Sequence, residues 1–143
     1  MSLKKIMVCL DGSKNSIKGL QEAIKLAKLT ESTLLGINSV TKFGIFTAIH
    51  LPKIPEKKWP KDARKIIKGA KTLVEKSGID FEGVVIAGHT AGYDLATFAN
   101  NPANRIDQIV IGARGMGFPK ELFFGSTSNF ILHKAKAPVT IVK

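Results

Sequence analysis

Apolar runs and helical patterns alternate along this chain from one end to the other, and that alternation restricts its fold more than any other feature. The segments "KKIMVCL" (4–10), "STLLGINSV" (32–40), "DFEGVVIAG" (80–88), "DQIVIG" (107–112) and "APVTIVK" (137–143) read as strands. Helical stretches fall between them. In "SKNSIKGLQEAIKLAKL" the residues Ile17, Leu20, Ile24 and Ala27 recur at helical spacing behind Ser13, a natural N-cap. Residues 60–77 form a second helix, with Pro60 in its first turn and Gly78 as its stop. "AGYDLATFANN" is a third helix, ended near Pro102, and "STSNFILHKA" is a fourth. A β-α repeat of this kind predicts an α/β fold: a parallel sheet with helices on both faces, joined by right-handed crossovers. Near-continuous apolar strands such as "IVIG" fit a sheet buried on both sides. The 143 residues are most simply one domain, residues 1–143.

In open α/β sheets, ligands bind beyond the carboxyl ends of the strands. That selects the turn after strand 1 ("LDGS"), the end of strand 2 ("NSV") and the loop after strand 4 ("GARG"). The last is the most informative. A phosphate needs several converging backbone N–H groups, which Gly112 and Gly115 can supply if glycine takes a positive φ there. Gly125 follows, with Ser126, Thr127 and Ser128 at a helix start, where free N–H groups and the helix dipole favour anions. Arg114 and Lys120 lie in or beside the loop. On spacing alone, a plain glycine turn with a serine cap accounts for these residues equally well.

Charge and composition narrow the partners. The chain carries a net charge of +11, which suits anionic ligands. Residues 53–76 hold nine Lys or Arg against three acids. Lys61, Lys65, Lys68 and Lys71 recur at helical spacing, opposite Ala63, Ile66, Ile67, Ala70, Leu73 and Val74. Such a stripe reads first as a solvated helix face and second as a nucleic-acid or interaction surface. The connection 41–59 is unusually apolar for a loop, with Phe43, Ile45, Phe46, Ile49, Leu51 and Trp59. It covers either its own core or a pocket or partner. No run approaches the roughly 18 apolar residues of a membrane span, and the single Cys9 has no partner for an internal disulfide, so a cytoplasmic location is expected.

Several chemistries are disfavoured. There is no GxxxxGK[ST], and the first turn reads "DGSKNS", not G-x-G-x-x-G. Asp11 follows strand 1 as in a receiver domain, but the paired acids and an Asp ending strand 3 are missing. His50, His89 and His133 lack ligand spacing, and no protein metal site is assigned; His89 lies nearest the expected cleft. Cys9 reads as a small buried strand residue, and Asp107 as structural, at the wrong end of strand 4 for a ligand. Ser126 has no evident base, so no catalytic residues are assigned. Arg114 is a possible charge stabiliser, but no residue is placed to position water, so efficient hydrolysis is not expected.

The spacing Gly112-x2-Gly115-x9-Gly125-Ser126 resembles the nucleotide motif of universal stress proteins of the ATP-binding branch. "KKIMVCLDGSKNSIKGLQEAIKLA", "DQIVIGARGMG" and "GSTSNFILHKAKAPVTIVK" are similar to that family's opening, fourth strand and closing segment, so the resemblance spans essentially the whole chain. It implies a Rossmann-like five-stranded parallel sheet of order 3-2-1-4-5. It implies ATP, or ADP or AMP, with Mg or Mn bound through the phosphates. By position, Asp11 and the backbone near Cys9 would meet adenine or ribose, and Val40 would line the adenine pocket. Ile111 and Gly112 would follow the ribose and first phosphate, with Arg114, Gly115, Gly125, Ser126, Thr127 and Ser128 around the triphosphate. It also implies a homodimer through the last strand, 138–142, and a nucleotide-dependent switch or sensor in stress response. A weak ATPase and an interaction module using the basic helix are the alternatives. The sequence departs from the family pattern in lacking a proline in "GHTAGYDLATFA", in Gly117 and Pro119 within the loop, and in Asn38 at the end of strand 2.

Overall fold

Every strand expected from the apolar runs forms, and the five lie side by side in one parallel sheet of order β3-β2-β1-β4-β5. The computed structural model describes residues 3–41, 53–114 and 125–143. The strands are β1 (Lys5–Cys9), β2 (Thr33–Thr41), β3 (Phe81–Gly88), β4 (Gln108–Gly112) and β5 (Val139–Val142). The helices are α1 (Lys14–Thr30), α2 (Lys61–Lys76), α3 (Ala91–Asn100) and α4 (Ser126–Lys134). Residues Phe43, Ile45, Phe46, Ile49, His50 and Leu51 of the apolar connection lie outside the described residues, as do Gly115, Gly117, Pro119 and Lys120.

Alternation of side chains along buried strands divides the core in two. Ile6, Val8, Leu34, Val85 and Val110 face one side, under Leu20, Ala23 and Ala27 of α1 and Ala63, Ile67 and Val74 of α2. Met7, Leu35, Ile37, Ile86, Ile109 and Ile111 face the other, under Leu95, Phe98 and Ala99 of α3 and Ile131 of α4. The helical stripes follow the expected spacing with two exceptions. Ile17 and Leu73 are each 40% exposed, because the α1 stripe turns through Gly19 and Ala23 and the α2 stripe centres on Ala63, Ile67, Ala70 and Val74.

The helix signals act as read. Ser13 Oγ accepts the Ser16 N–H at 3.1 Å and caps α1. Gly78 follows α2 with φ +75°, the left-handed geometry that glycine adopts without strain. The two sheet edges differ. Along β3, Lys53 bridges Ile86 and the Ile54 N–H donates to Val85 O at 2.8 Å, so that edge is engaged at Val85 and Ile86. Among the described residues β5 pairs with β4 alone.

One packing contact places the site. Helix α1 crosses β4 through Gly19 and Gly112, and a Cβ on Gly112 would come within 2.7 Å of the Asn15 carbonyl carbon and oxygen. The expectation that this glycine supplies a positive φ is corrected: among the described residues the only glycines with positive φ are Gly12 and Gly78, and Gly125 has φ −75°. Gly112 is glycine because α1 needs the room.

Candidate functional site

The switch in strand order lies between β1 and β4, because successive connections run outward from there in opposite directions. A cleft of ≈ 300 Å³ opens at this point, over the carboxyl ends of β1, β2 and β4. Its floor is Cys9, Ile37 and Ile111, with Leu10, Asp11 and Ser13 on the α1 side and Ala91 and Leu95 on the α3 side. Gly112 and Arg114 form the β4 end, facing Gly125, Ser126, Thr127 and Ser128 of α4.

The amino ends of α1, α3 and α4 all lie at this carboxyl edge, as βα order requires. The Ser13 side chain fills part of the α1 end. The α4 end differs: its N-cap is Gly125, no side chain caps it, and its first turn carries no acid. Its first N–H groups therefore remain available to an outside acceptor, and the helix dipole adds positive potential. Ser126 is exposed and Thr127 half-buried, and Arg114 stands across the cleft.

Local hydrogen bonds hold this geometry. The Gly125 N–H donates to Ala113 O at 2.6 Å, which draws the end of β4 and the start of α4 together. The buried Ser128 hydroxyl lies 2.8 Å from the same carbonyl and 3.1 Å from Gly125 O. On the opposite wall, Asn38 Nδ2 donates to Leu10 O at 2.7 Å and the Leu10 N–H to Ile37 O at 2.9 Å, tying the β1 turn to β2. Asp11 Oδ1 accepts the Ser13 N–H at 2.9 Å, with Gly12 between them at φ 85°.

Of the residues selected from sequence, Cys9, Asp11, Ile111, Gly112, Arg114, Gly125, Ser126, Thr127 and Ser128 come together around this one cleft. Gly115 lies outside the described residues. Val40 is not among the lining residues; it packs against the core on the α1–α2 side, whereas Ile37, Asn38 and Ser39 reach the cleft from β2. Asn38 and Ser39 belong to the "NSV" end selected from sequence, whereas Ser16, Ile37, Ala91 and Leu95 were not singled out. The signal for Ala91 and Leu95 was present, since they open the helix that follows a strand's carboxyl end.

The remaining reactive side chains do not converge. His89 is exposed and absent from the cleft lining, and His133 Nδ1 lies 2.8 Å from Asn129 O on α4. Asp107 accepts the Lys4 and Lys5 N–H groups at 3.0 and 2.9 Å, joining β1 and β4 at the end away from the cleft. Among the described residues no three His, Cys, Asp or Glu side chains gather as a metal site. No helix among them is long and apolar enough to cross a membrane.

Cys9 is buried, and burial first, then the Asp11 carboxylate, push its thiol up to about 12. Iodoacetamide at mildly alkaline pH is therefore expected to leave the native protein unmodified. In denaturant it should add one group to this single cysteine, as intact mass reads. Native labelling as fast as a free thiol would mean that the floor of the cleft opens.

A family model described as the universal stress protein family matches residues 2–143. Universal stress protein YxiE of Bacillus subtilis is 28% identical over 148 residues, covering 97% of this chain and 98% of that protein. Two solved structures share the fold. A universal stress protein from Archaeoglobus fulgidus in complex with dAMP superposes with a TM-score of 0.72 at 22% identity, covering 100% of both chains. An Arabidopsis thaliana family protein with AMP bound gives 0.67 at 17% identity, covering 98% of this chain and 91% of that one.

Proposed function

The chain belongs to the universal stress protein family, and from that membership and the form of the cleft we propose that it binds an adenine nucleotide. The observation that carries this reading is the uncapped amino end of α4, with Ser126 and Thr127, set opposite Gly112 and Arg114 across one cleft. That end supplies what an anionic phosphate chain needs: free N–H groups, hydroxyl donors and a positive dipole. The apolar surface of Ile37, Ile111, Ala91 and Leu95 suits a flat base at the other end. The dAMP and AMP complexes of the two similar folds support the ligand class.

ATP, or ADP or AMP, would then lie with its base toward β2 and α3 and its phosphates between residues 112–115 and α4. A Mg or Mn ion would be held through the phosphates, where it neutralises charge and fixes their geometry; the described side chains offer it no cluster of their own. Binding would alter a surface that a partner reads, which makes the protein a nucleotide-dependent switch or sensor. The switch shifts only as far as the nucleotide prefers one state over the other. A homodimer through residues 138–142 is supported by β5 having no second partner strand among the described residues, since an unpaired apolar edge invites a second strand. With no residue assigned to position a water, turnover would be slow at most.

The test is calorimetric titration of ATP and of AMP, with magnesium, into nucleotide-stripped protein. Binding at micromolar to millimolar concentration is expected for at least one of them. The absence of heat and of any thermal shift at millimolar levels of both would remove the reading. Phosphate release at many turnovers per second would replace the switch with an enzyme.

A further inference from the structure

Asp94 has no part in the site so far. It sits in the first turn of α3, between Ala91 and Leu95, which both line the cleft. It is 0% exposed, yet neither carboxyl oxygen makes a hydrogen bond. Ser39, which reaches the cleft from β2, has a buried Oγ that is also without a hydrogen bond. The niche is made to fit: Gly88 ends β3 against Asp94, and a Cβ there would overlap the carboxyl group. This acid falls on the apolar stripe of α3, three residues after Ala91 and four before Phe98.

We propose that Asp94 is a proton-dependent positioning residue for the base side of the cleft: neutral, it lets α3 rest on β2 and β3, and ionised, it drives the first turn of α3 away from them. This rests on the nucleotide reading above. Where neither oxygen is hydrogen-bonded, burial costs a neutral carboxyl far less than a carboxylate. Burial accordingly pushes the Asp94 carboxyl above the usual carboxylate range, against smaller lowering effects of the His89 backbone N–H, the His89 side chain and the Ser39 hydroxyl. His89 and Ser39 are near enough to act on Asp94, but neither makes a hydrogen bond of sound geometry to it.

The other neighbours leave that balance unchanged. From β2 the facing polar group is Ser39, which does not ionise in this range, and β3 presents Gly88. On α4, Phe130 is the residue set against α3 at Gly92. Lys53, at the β3 edge, holds its ammonium 5.7 Å from the centre of the Phe98 ring, one turn further along α3. His89 is thus the one ionisable side chain among the described residues that acts on Asp94.

The sign follows from linkage. A carboxyl whose folded value is raised binds its proton more readily in the folded chain than in the unfolded one. Its contribution is complete at acid pH and is lost as pH rises through the folded value. Ionisation gives α3 a reason to move toward cleft water, carrying Ala91 and Leu95 with it. Nucleotide, which needs that wall in place, and the Asp94 proton therefore favour each other's binding.

The test measures AMP affinity from roughly pH 5 to pH 8.5 in the parent protein and in Asp94→Asn, which is neutral at every pH. Titration of the AMP phosphate cancels in the ratio of the two affinities. The ratio of parent to variant is expected to fall with rising pH, by up to about tenfold per unit; a flat ratio overturns the proposal. Two readouts need no nucleotide. Amide exchange of α3 in the parent should quicken with pH relative to the variant, and equal protection at all pH overturns the idea. The carbon-13 titration of the Asp94 carboxyl in the parent should lie above the ordinary carboxylate range, and an ordinary or lower midpoint overturns it without any variant. If AMP binds at no pH, the nucleotide reading fails, and these two measurements still decide the role of Asp94.

Discussion

A Gly112→Val variant is expected to unfold several degrees below the parent and to bind nucleotide roughly tenfold more weakly, or worse. The cause is backbone against backbone. The new Cβ would stand 2.7 Å from the Asn15 carbonyl, in the first turn of α1, where no flexible side chain can swing aside. Either α1 lifts from β4 or β4 bends at its carboxyl end. Overpacking of this kind typically costs about 1–3 kcal/mol, which at this chain length lowers Tm by roughly 3 °C per kcal/mol. Both ways of relaxing distort the cleft, because Ser13 and Ser16 of the α1 end and Ile111 and Arg114 of the β4 end line it. Gly69→Ala is the control. Gly69 lies inside α2 with nothing within 4 Å of its would-be Cβ, so alanine is expected to stabilise the fold by up to about 1 kcal/mol and leave binding unchanged. Equal Tm and affinity in Gly112→Val and the parent would show that this glycine is not held by α1.

That result bears on what the glycine motif is for. The sequence placed Gly112 in a turn of positive φ that approaches phosphate. In the structure it is the end of β4, and its missing side chain admits a helix. Two requirements thus meet at one residue: α1 must pack closely, and α1 must bring its amino end to the cleft. Spacing along a chain cannot separate them, since it records only that a side chain is absent.

Much of the fold was legible because a sheet buried on both faces needs uninterrupted apolar strands, and runs such as "IVIG" have few other uses. Capping signals were legible for a similar reason, since Ser13 and Gly78 answer to local backbone demands. What the sequence could not give was register. Val40 is the residue expected at the base pocket from the end of strand 2; the cleft lining takes Asn38 and Ser39 from that end, and the Val40 side chain packs against the α1–α2 core. Nor could it separate Ile17 from Leu20 on α1: both lie on the apolar stripe, and only the crossing of α1 over β4 at Gly19 decides which is covered. Asp94 was missed for a related reason. An acid on an apolar stripe looks like a solvated edge until Gly88 and Ser39 are seen to enclose it.

The second large effect is expected from Ile131→Ala, at about 2–5 kcal/mol, or roughly 6–15 °C in Tm. Helix α4 is short, running from Ser126 to Lys134, and its only buried residues are Ser128 and Ile131. Ser128 contributes a hydrogen bond to the Ala113 carbonyl and little apolar area. Ile131 is 0% exposed within the core formed by Ile109, Ile111, Leu95 and Phe98. Helix propensity cannot hold nine residues in water, so α4 depends on the packing of this side chain. Truncation leaves a cavity beneath α4, and the helix end that carries Gly125, Ser126 and Thr127 loses its anchor. Nucleotide affinity should therefore fall along with stability, although Ile131 does not line the cleft. Ile131→Val, which removes one methylene, should cost about 0.5–1.5 kcal/mol and keep most of the binding. The measurement is calorimetric titration of both variants well below their own Tm, so that loss of folded protein does not enter. Parent-like affinity in a destabilised Ile131→Ala would mean that the amino end of α4 is held by the Ala113–Gly125 closure alone. The proposed phosphate site would then rest on that closure, with α4 following it.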